Sequence, residues 1–364
     1  MMRAVLVDDE APARARLRAL LAELGGVSVV AEADNADAAR AAVAAHAPDL
    51  VFLDIEMPME RGTDLAASLP EPRPFVIFAT AYERFAVDAF QYDAADYLLK
   101  PVNRQRLQAA LDRVRTKLQA RRDAARELAD ASRAQAHLLR RDLPSPSGYR
   151  LAAATLAARG VGGDFYAACT VGESLAIVLG DVAGKGMAAG LIASSVQARW
   201  EAAIRRDDVE VADMMRELNR DVLASTEGSK YATLVHAMLS PSTGELRYVN
   251  AGHPSALVVD AGGREVARLE ATAPAVGLMD AADFASTSVV VAPGDTVVIV
   301  SDGVTEARDA RGEEWDVSGI PALVARYADD ADQLAAAVID AVRRHRGADQ
   351  TQDDVTVLIL RRTP

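Results

Sequence analysis

From Arg3 to about Leu118, short apolar runs alternate with longer stretches of helical period. The runs are RAVLV, VSVVAE, LVFLD, FVIFAT and DYLLK. Helical patterns begin at about Ala11, cross Ala36–His46, begin again at Gly62, cross Glu83–Tyr92, and start once more at Asn103. Five strand-helix repeats predict an α/β domain over residues 1–118, a doubly wound, flavodoxin-like sheet of five parallel strands. Ligands of such sheets sit at the carboxyl ends of the strands, and Asp8, Asp9, Asp54, Thr80 and Lys100 all fall there.

The last of these helices does not stop where a compact domain would end it, because no Gly or Pro intervenes between Pro101 and Pro144. Leu107, Leu111, Val114, Leu118, Arg121, Ala125, Leu128, Ser132, Gln135 and Leu139 alternate spacings of four and three. That period predicts a coiled-coil helix over 104–142, continuing the last helix of the first domain and pairing two copies in a parallel homodimer. Between Arg104 and Arg141 stand 11 basic and 4 acidic residues, a net of +7. A basic helix can touch nucleic acid, but a solvated face around a helical seam accounts for the same pattern without a groove-reading module.

Leu143-Pro-Ser-Pro-Ser-Gly breaks the helix, and from Tyr149 the texture changes to strands. RLAAAT, GDFYAACTV, LAIVLGDVA, YATLVHAML, LRYVNA, ALVVDA, TSVVVA, TVVIVSDG and VTVLILR are the candidates. Helical stretches lie near Met187–Arg205, Val209–Leu223, Ile320–Tyr327 and Ala331–Arg344. This order predicts an α+β domain over 143–364, two packed antiparallel sheets flanked by helices.

Composition narrows the function. Hydrophobic residues make up 50% and charged residues 26% of the 364, and no apolar run approaches the roughly 20 residues of a membrane span. The opening MMRAVLVDDE is not a signal peptide, since acids follow the short apolar run at once, so a cytoplasmic protein without membrane partners is expected. Cys169 is the one cysteine and reads as a small core hydrophobe. A formal net charge of −13 argues against a nucleic-acid partner and favours cations.

An acid pair after the first strand, Asp54 after the third, Thr80 after the fourth and Lys100 after the fifth make a pocket for Mg²⁺ and a phosphoryl group. Three carboxylates supply hard oxygen ligands, and the ion neutralises the charge that develops as Asp54 attacks a phosphoryl donor. Lys100 would pair with the new acyl phosphate. VLVDDE, LVFLDIEMP, FATAYERFAVDAF and DYLLKP resemble the receiver domains of two-component response regulators. The resemblance implies that Asp8 and Asp9 bind Mg²⁺ with Asp54, that Asp54 accepts the phosphoryl group from a sensor histidine kinase, and that Thr80 and Lys100 respond to it. Tyr97 matches the aromatic switch position. The wording is nearest to receivers that usually carry a LytTR-type DNA-binding domain, and no such domain follows here.

ARGVGGDFY, LGDVAGKG, VSDGVTEA and QDDVTVL each set an aspartate at a strand boundary, beside small residues in most cases. Carboxylates without sulfur or histidine favour Mg²⁺ or Mn²⁺ over zinc, and a pair of such ions can activate water for in-line attack on a phosphate. These segments, with YATLVHAMLSPSTGELRYVNAGHPSALVV, resemble the bacterial PPM phosphatases of the SpoIIE-like or RsbU-like branch. By motif position Asp181 would bridge two Mg²⁺ or Mn²⁺ ions and act in catalysis. The carbonyl of Val182 adds a ligand, Asp164, Asp302 and Asp353 complete the set, and Asp354 supports it from beside. Ala167 stands where the family motif carries a second acid. Arg159 is a candidate for the substrate-phosphate arginine, and His253 in NAGHP reads as a hydrogen-bonding structural residue before a catalytic acid.

The expectation is a response regulator whose phosphorylation at Asp54 controls a metal-dependent phosphoserine/phosphothreonine protein phosphatase. The family resemblance implies an anti-sigma-factor antagonist of STAS type as substrate. Two other classes are carried beside it: a non-catalytic adaptor that binds its partner through the phosphatase-like domain, and a DNA-binding regulator that uses the basic connector.

Overall fold

The computed structural model describes residues 1–81, 94–139, 143–158, 160–206, 210–347 and 353–364. Two compact units divide the chain, Met1–Arg126 and Glu127–Pro364.

In the first unit β1 (Met2–Val7), α1 (Ala11–Leu24), β2 (Val27–Ala33), α2 (Ala36–His46), β3 (Leu50–Leu53), α3 (Gly62–Ser68), β4 (Phe75–Thr80) and β5 (Asp96–Leu99) follow in turn. The strands run parallel in the order β2-β1-β3-β4-β5. Alternate residues of β1 serve different cores: Ala4 and Leu6 join Leu17 and Leu21 of α1, while Val5 and Val7 join Ala39 and Val43 of α2. That period of two with both faces buried is what a doubly wound sheet demands. Asn35 caps α2, its Oδ1 accepting from the Ala38 N–H at 2.9 Å. The helix expected across Glu83–Tyr92 lies outside the described residues.

The connector is one helix of 36 residues, Arg104–Leu139, started by Asn103, whose Oδ1 accepts from the Gln105 N–H at 2.8 Å. Its heptad stripe is used differently along its length. Leu107, Leu111 and Val114 are fully buried in the first unit's own core, and Leu118 packs on the same cluster. Residues 119–130 are exposed on every side, Arg121, Ala125 and Leu128 among them, while Leu139 is buried in the core of the second unit. The strongest apolar positions of the expected seam are therefore occupied within the chain.

The second unit holds β6 (Tyr149–Leu156), β7 (Asp164–Val171), β8 (Ser174–Val182), β9 (Ala232–Ser240), β10 (Glu245–Ala251), β11 (Ala256–Val259), β12 (Glu265–Leu269), β13 (Thr287–Val290), β14 (Thr296–Val300) and β15 (Val355–Arg362). They form two antiparallel five-stranded sheets, β13-β10-β9-β8-β7 and β12-β11-β14-β15-β6. Ile299 and Leu358 of the second sheet share one apolar cluster with Ile177 and Val235 of the first, and Trp200, Met214 and Met215 come to that cluster from the helices Met187–Ala203 and Val211–Thr226. Val298 and Ile359 turn the other way, onto Val338 and Val342 of the helix Ala331–Arg346. β12 is absent from the nine expected strands because its Glu265 and Val266 face solvent and only Leu269 is buried, which leaves no apolar alternation to read. Among the described residues no helix is long and apolar enough to cross a membrane.

Candidate functional site

In the first unit the strand ends converge as the topology requires. Asp8, Asp9 and Asp54 each bring a carboxylate oxygen to within 4.8 Å of the others, and they are the only such acidic, histidine or cysteine set among the described residues. The Lys100 Nζ donates to Asp54 Oδ2 at 2.6 Å and pairs with Asp8 Oδ2 at 2.7 Å. Burial pushes the Asp54 carboxyl up from its ordinary 3.8, and the Lys100 hydrogen bond pulls against that rise. Burial alone would lower the Lys100 ammonium, but its bonds to Asp54 and Asp8 reverse the sign and leave it raised. Thr80 ends β4 with its hydroxyl buried and without a hydrogen-bond partner. Tyr97 shares its sheet face with Thr80 through the β4–β5 register and is half-buried beside Phe78. Gly62 is required by close approach, since a Cβ there would lie 2.0 Å from the Asp54 carbonyl oxygen.

The second unit places its acids at one end of the facing sheets, though no three of them come as close together as the first unit's set. Asp164 opens β7 opposite Asp181 near the end of β8, Asp302 follows β14, and Asp353 and Asp354 precede β15. A Cβ built on Gly163 would sit 2.7 Å from both Asp181 Oδ1 and the Val182 carbonyl oxygen, so two hard oxygens converge on the space that this glycine leaves open. Both carboxylate oxygens of Asp164 are buried without a hydrogen-bond partner. The hydroxyls of Ser301 and Thr356 lie beside it and pull against the rise in its carboxyl. Burial pushes the Asp181 carboxyl up to about 7, with the charges of Asp302, Asp353 and Asp354 adding to the rise. Asp302 goes up to about 6 by burial and then by Asp353. Asp164 is raised by burial and by Asp181. Crowded negative charge, orphaned buried oxygens and an oxygen-only donor set fit hard divalent cations.

Several residues hold this arrangement. Asp354 accepts from the Ala158 N–H at 2.8 Å and the Gly163 N–H at 2.9 Å, and so binds the glycine turn rather than facing the open space. Lys185 pairs with Asp353 Oδ2 at 2.9 Å. Gln135 of the connector grips Gly162 from both sides, donating to its carbonyl at 2.7 Å and accepting from its N–H at 2.9 Å. Lys185 falls within the LGDVAGKG segment, and Gln135 falls on the heptad seam of the connector. Nothing in their spacing announced these contacts.

Of the remaining candidates, Arg159 lies outside the described residues. His253 is buried, its Nδ1 shares a 2.9 Å hydrogen bond with Thr233 Oγ1, and its backbone N–H donates to Asn250 Oδ1 at 2.8 Å. Burial pushes it down to about 3, a neutral, structural histidine. Ala167 is buried in the apolar cluster, as is the free thiol of Cys169.

A family model for Stage II sporulation protein E (SpoIIE) matches residues 172–363, and one for the response regulator receiver domain matches residues 4–112. Over 115 residues the chain is 49% identical to an uncharacterized response regulatory protein of Yersinia pestis, which covers 31% of this chain and 48% of that protein. Over 116 residues it is 42% identical to the transcriptional regulatory protein BtsR of Escherichia coli (strain K12), covering 32% and 48%. The chain thus spans about half the length of the curated relatives it matches. Among solved structures it is similar to the RsbU and RsbW domains of a Mycobacterium tuberculosis protein, at 29% identity and a TM-score of 0.53 over 61% of this chain and 62% of that one. The SiaA-PP2C domain of Pseudomonas aeruginosa, at 20% identity and a TM-score of 0.57 over 66% and 98%, shares the fold.

Proposed function

The chain belongs to the SpoIIE family and carries a receiver domain at its N-terminal end, and from that premise we propose that it is a response regulator whose phosphatase is metal-dependent and governed by phosphorylation at Asp54. The substrate is a phosphoserine or phosphothreonine protein of the anti-sigma-factor antagonist (STAS) type, the phosphodonor is a sensor histidine kinase, and the setting is cytoplasmic. The observation that carries the reading is the convergence of Asp181 Oδ1 and the Val182 carbonyl above Gly163, beside the unpartnered carboxylate of Asp164.

In the receiver, Asp8, Asp9 and Asp54 would hold Mg²⁺, and Asp54 is the phosphoryl acceptor. Lys100 then exchanges its bond to the free carboxylate for one to the acyl phosphate, and the Thr80 hydroxyl donates to a phosphoryl oxygen. Tyr97, on the same face, follows Thr80. In the phosphatase unit Asp164, Asp181, the Val182 carbonyl, Asp302 and Asp353 would hold two Mg²⁺ or Mn²⁺ ions. Bound there, the ions supply a water of lowered pKa and neutralise charge on the phosphoryl oxygens. Asp354 keeps the Gly162-Gly163 turn in place, and the Gln135 grip ties the connector to the same turn. The connector is accordingly the route by which the receiver acts, through a change of helix position or of helix pairing between two copies.

Hydrolysis of an aryl phosphate and of a phosphoserine peptide, with and without Mn²⁺, tests the catalytic reading in wild type and Asp181→Ala. Metal-dependent turnover that the substitution abolishes supports it. A wild type that binds Mn²⁺ yet turns over neither substrate would make the domain a non-catalytic adaptor.

A further inference from the structure

Arg346 closes the last turn of the Ala331–Arg346 helix and is only 2% exposed. Its Nη1 donates to the backbone carbonyl of Asp353 at 2.7 Å, and its Nη2 donates to the backbone carbonyl of Gly303 at 2.7 Å. One guanidinium thus holds the residue after Asp302 and the backbone of Asp353 itself. The two loops meet closely behind the acids, where a Cβ on Gly303 would lie 1.7 Å from the Asp354 carbonyl oxygen.

Two segments distant in sequence, each carrying one of the acids, are joined here through a single side chain. That side chain is a buried guanidinium. Its planar fork reaches two acceptors at a fixed separation, which an ammonium does not. Burying that charge is costly unless it is hydrogen-bonded, so a packing role at the end of an otherwise apolar face would be better filled by Leu or Met.

We propose that Arg346 is a positioning residue for the acid cluster: it fixes the separation of Asp302 and Asp353 through their backbones, so that both carboxylates are poised to take divalent ions. This rests on the reading of the cluster as a metal centre. Residues standing behind metal ligands typically cost 10–100-fold in metal affinity when changed.

The test is Mn²⁺ binding to the full chain by isothermal titration calorimetry for wild type, Arg346→Met and Arg346→Lys, with urea unfolding midpoints and aryl phosphate turnover at limiting and excess Mn²⁺. The expected result is a loss of Mn²⁺ affinity of at least about tenfold in Arg346→Met, lost turnover at limiting Mn²⁺, and recovery at excess. Arg346→Lys falls between, because the ammonium keeps the charge and reaches one carbonyl. Wild-type Mn²⁺ affinity in a folded Arg346→Met overturns the proposal. If that variant does not fold, Arg346→Lys decides, and wild-type affinity there overturns it equally. A wild type that itself binds no Mn²⁺ refutes the metal-centre reading, and this proposal falls with it.

Discussion

Substituting alanine for Gly163 adds a single methyl at the point the acid cluster leaves open. That Cβ would stand 2.7 Å from Asp181 Oδ1 and 2.7 Å from the Val182 carbonyl oxygen, whereas ordinary contact begins at 3.4 Å, so each oxygen must withdraw by about 0.7 Å. Metal ligands hold their distances to within about 0.2 Å, and the displacement is roughly three times that. The backbone itself accepts alanine, because Gly163 is not in the left-handed region. The cost to folding is therefore that of mild overpacking, about 1–3 kcal/mol. Metal binding suffers more: two ligands lost or displaced should cost at least about 2.8 kcal/mol, a hundredfold in affinity. Calorimetric Mn²⁺ titration beside urea unfolding separates the two effects. A folded Gly163→Ala that binds Mn²⁺ as tightly as wild type would refute the reasoning, because it would place the ions away from the Asp181–Val182 pair.

Buried histidines make a second prediction. His236, bonded to the indole N–H of Trp200 at 3.1 Å, is pushed from 6.5 down to about 4 by burial, and His253 from 6.5 down to about 3. With folded values below unfolded ones, their stability is present above about pH 6.5 and is lost as pH falls, by about 2–3 kcal/mol each by pH 4.5. The raised Asp181 and Asp302 act in the opposite sense, favouring the metal-free fold as pH falls through about 7 and 6. The histidine contribution is therefore read as the difference between wild type and His236→Gln, which should shrink between pH 7 and pH 4.5; a constant difference contradicts it. Asn219→Ala should cost about 2–3 kcal/mol in chemical denaturation, because the buried amide donates to the Met279 carbonyl at 2.9 Å and accepts from the Gly277 N–H at 2.7 Å. Asp54→Asn should abolish labelling by a small acyl phosphate in Mg²⁺, as should chelation of the metal in wild type; persistent labelling of the variant would move the acceptor elsewhere.

How far the sequence carried the account varies by element. Asp8, Asp9, Asp54, Thr80 and Lys100 were legible because a parallel sheet brings successive strand ends to one edge, so placing the strands places the pocket. The connector was legible as a helix, but its heptad period could not say which surface buries the stripe. Leu107, Leu111 and Val114 face their own sheet, a choice made by tertiary packing that any partner of the right shape satisfies. Gln135 was hidden in the same way, since a polar residue on a seam gives no sign of a backbone it will grip. Arg346 was hidden by its neighbours: in the run Arg343, Arg344, His345, Arg346, basic residues in a last turn read as complements to the helix dipole at the surface. Only burial separates the fourth from the rest. For His253, the NAGHP motif left a structural and a catalytic role open, and its burial and its hydrogen bond to Thr233 fit the structural one.

Control of the phosphatase by the receiver is read from Mn²⁺-dependent aryl phosphate turnover by wild type and Asp54→Asn, each with and without beryllofluoride in Mg²⁺. The expected result is a change of at least about fivefold in wild type, the scale of ordinary coupling between sites, and none in Asp54→Asn. Turnover in wild type that is the same with and without beryllofluoride, when the mimic is shown bound at Asp54, would contradict it.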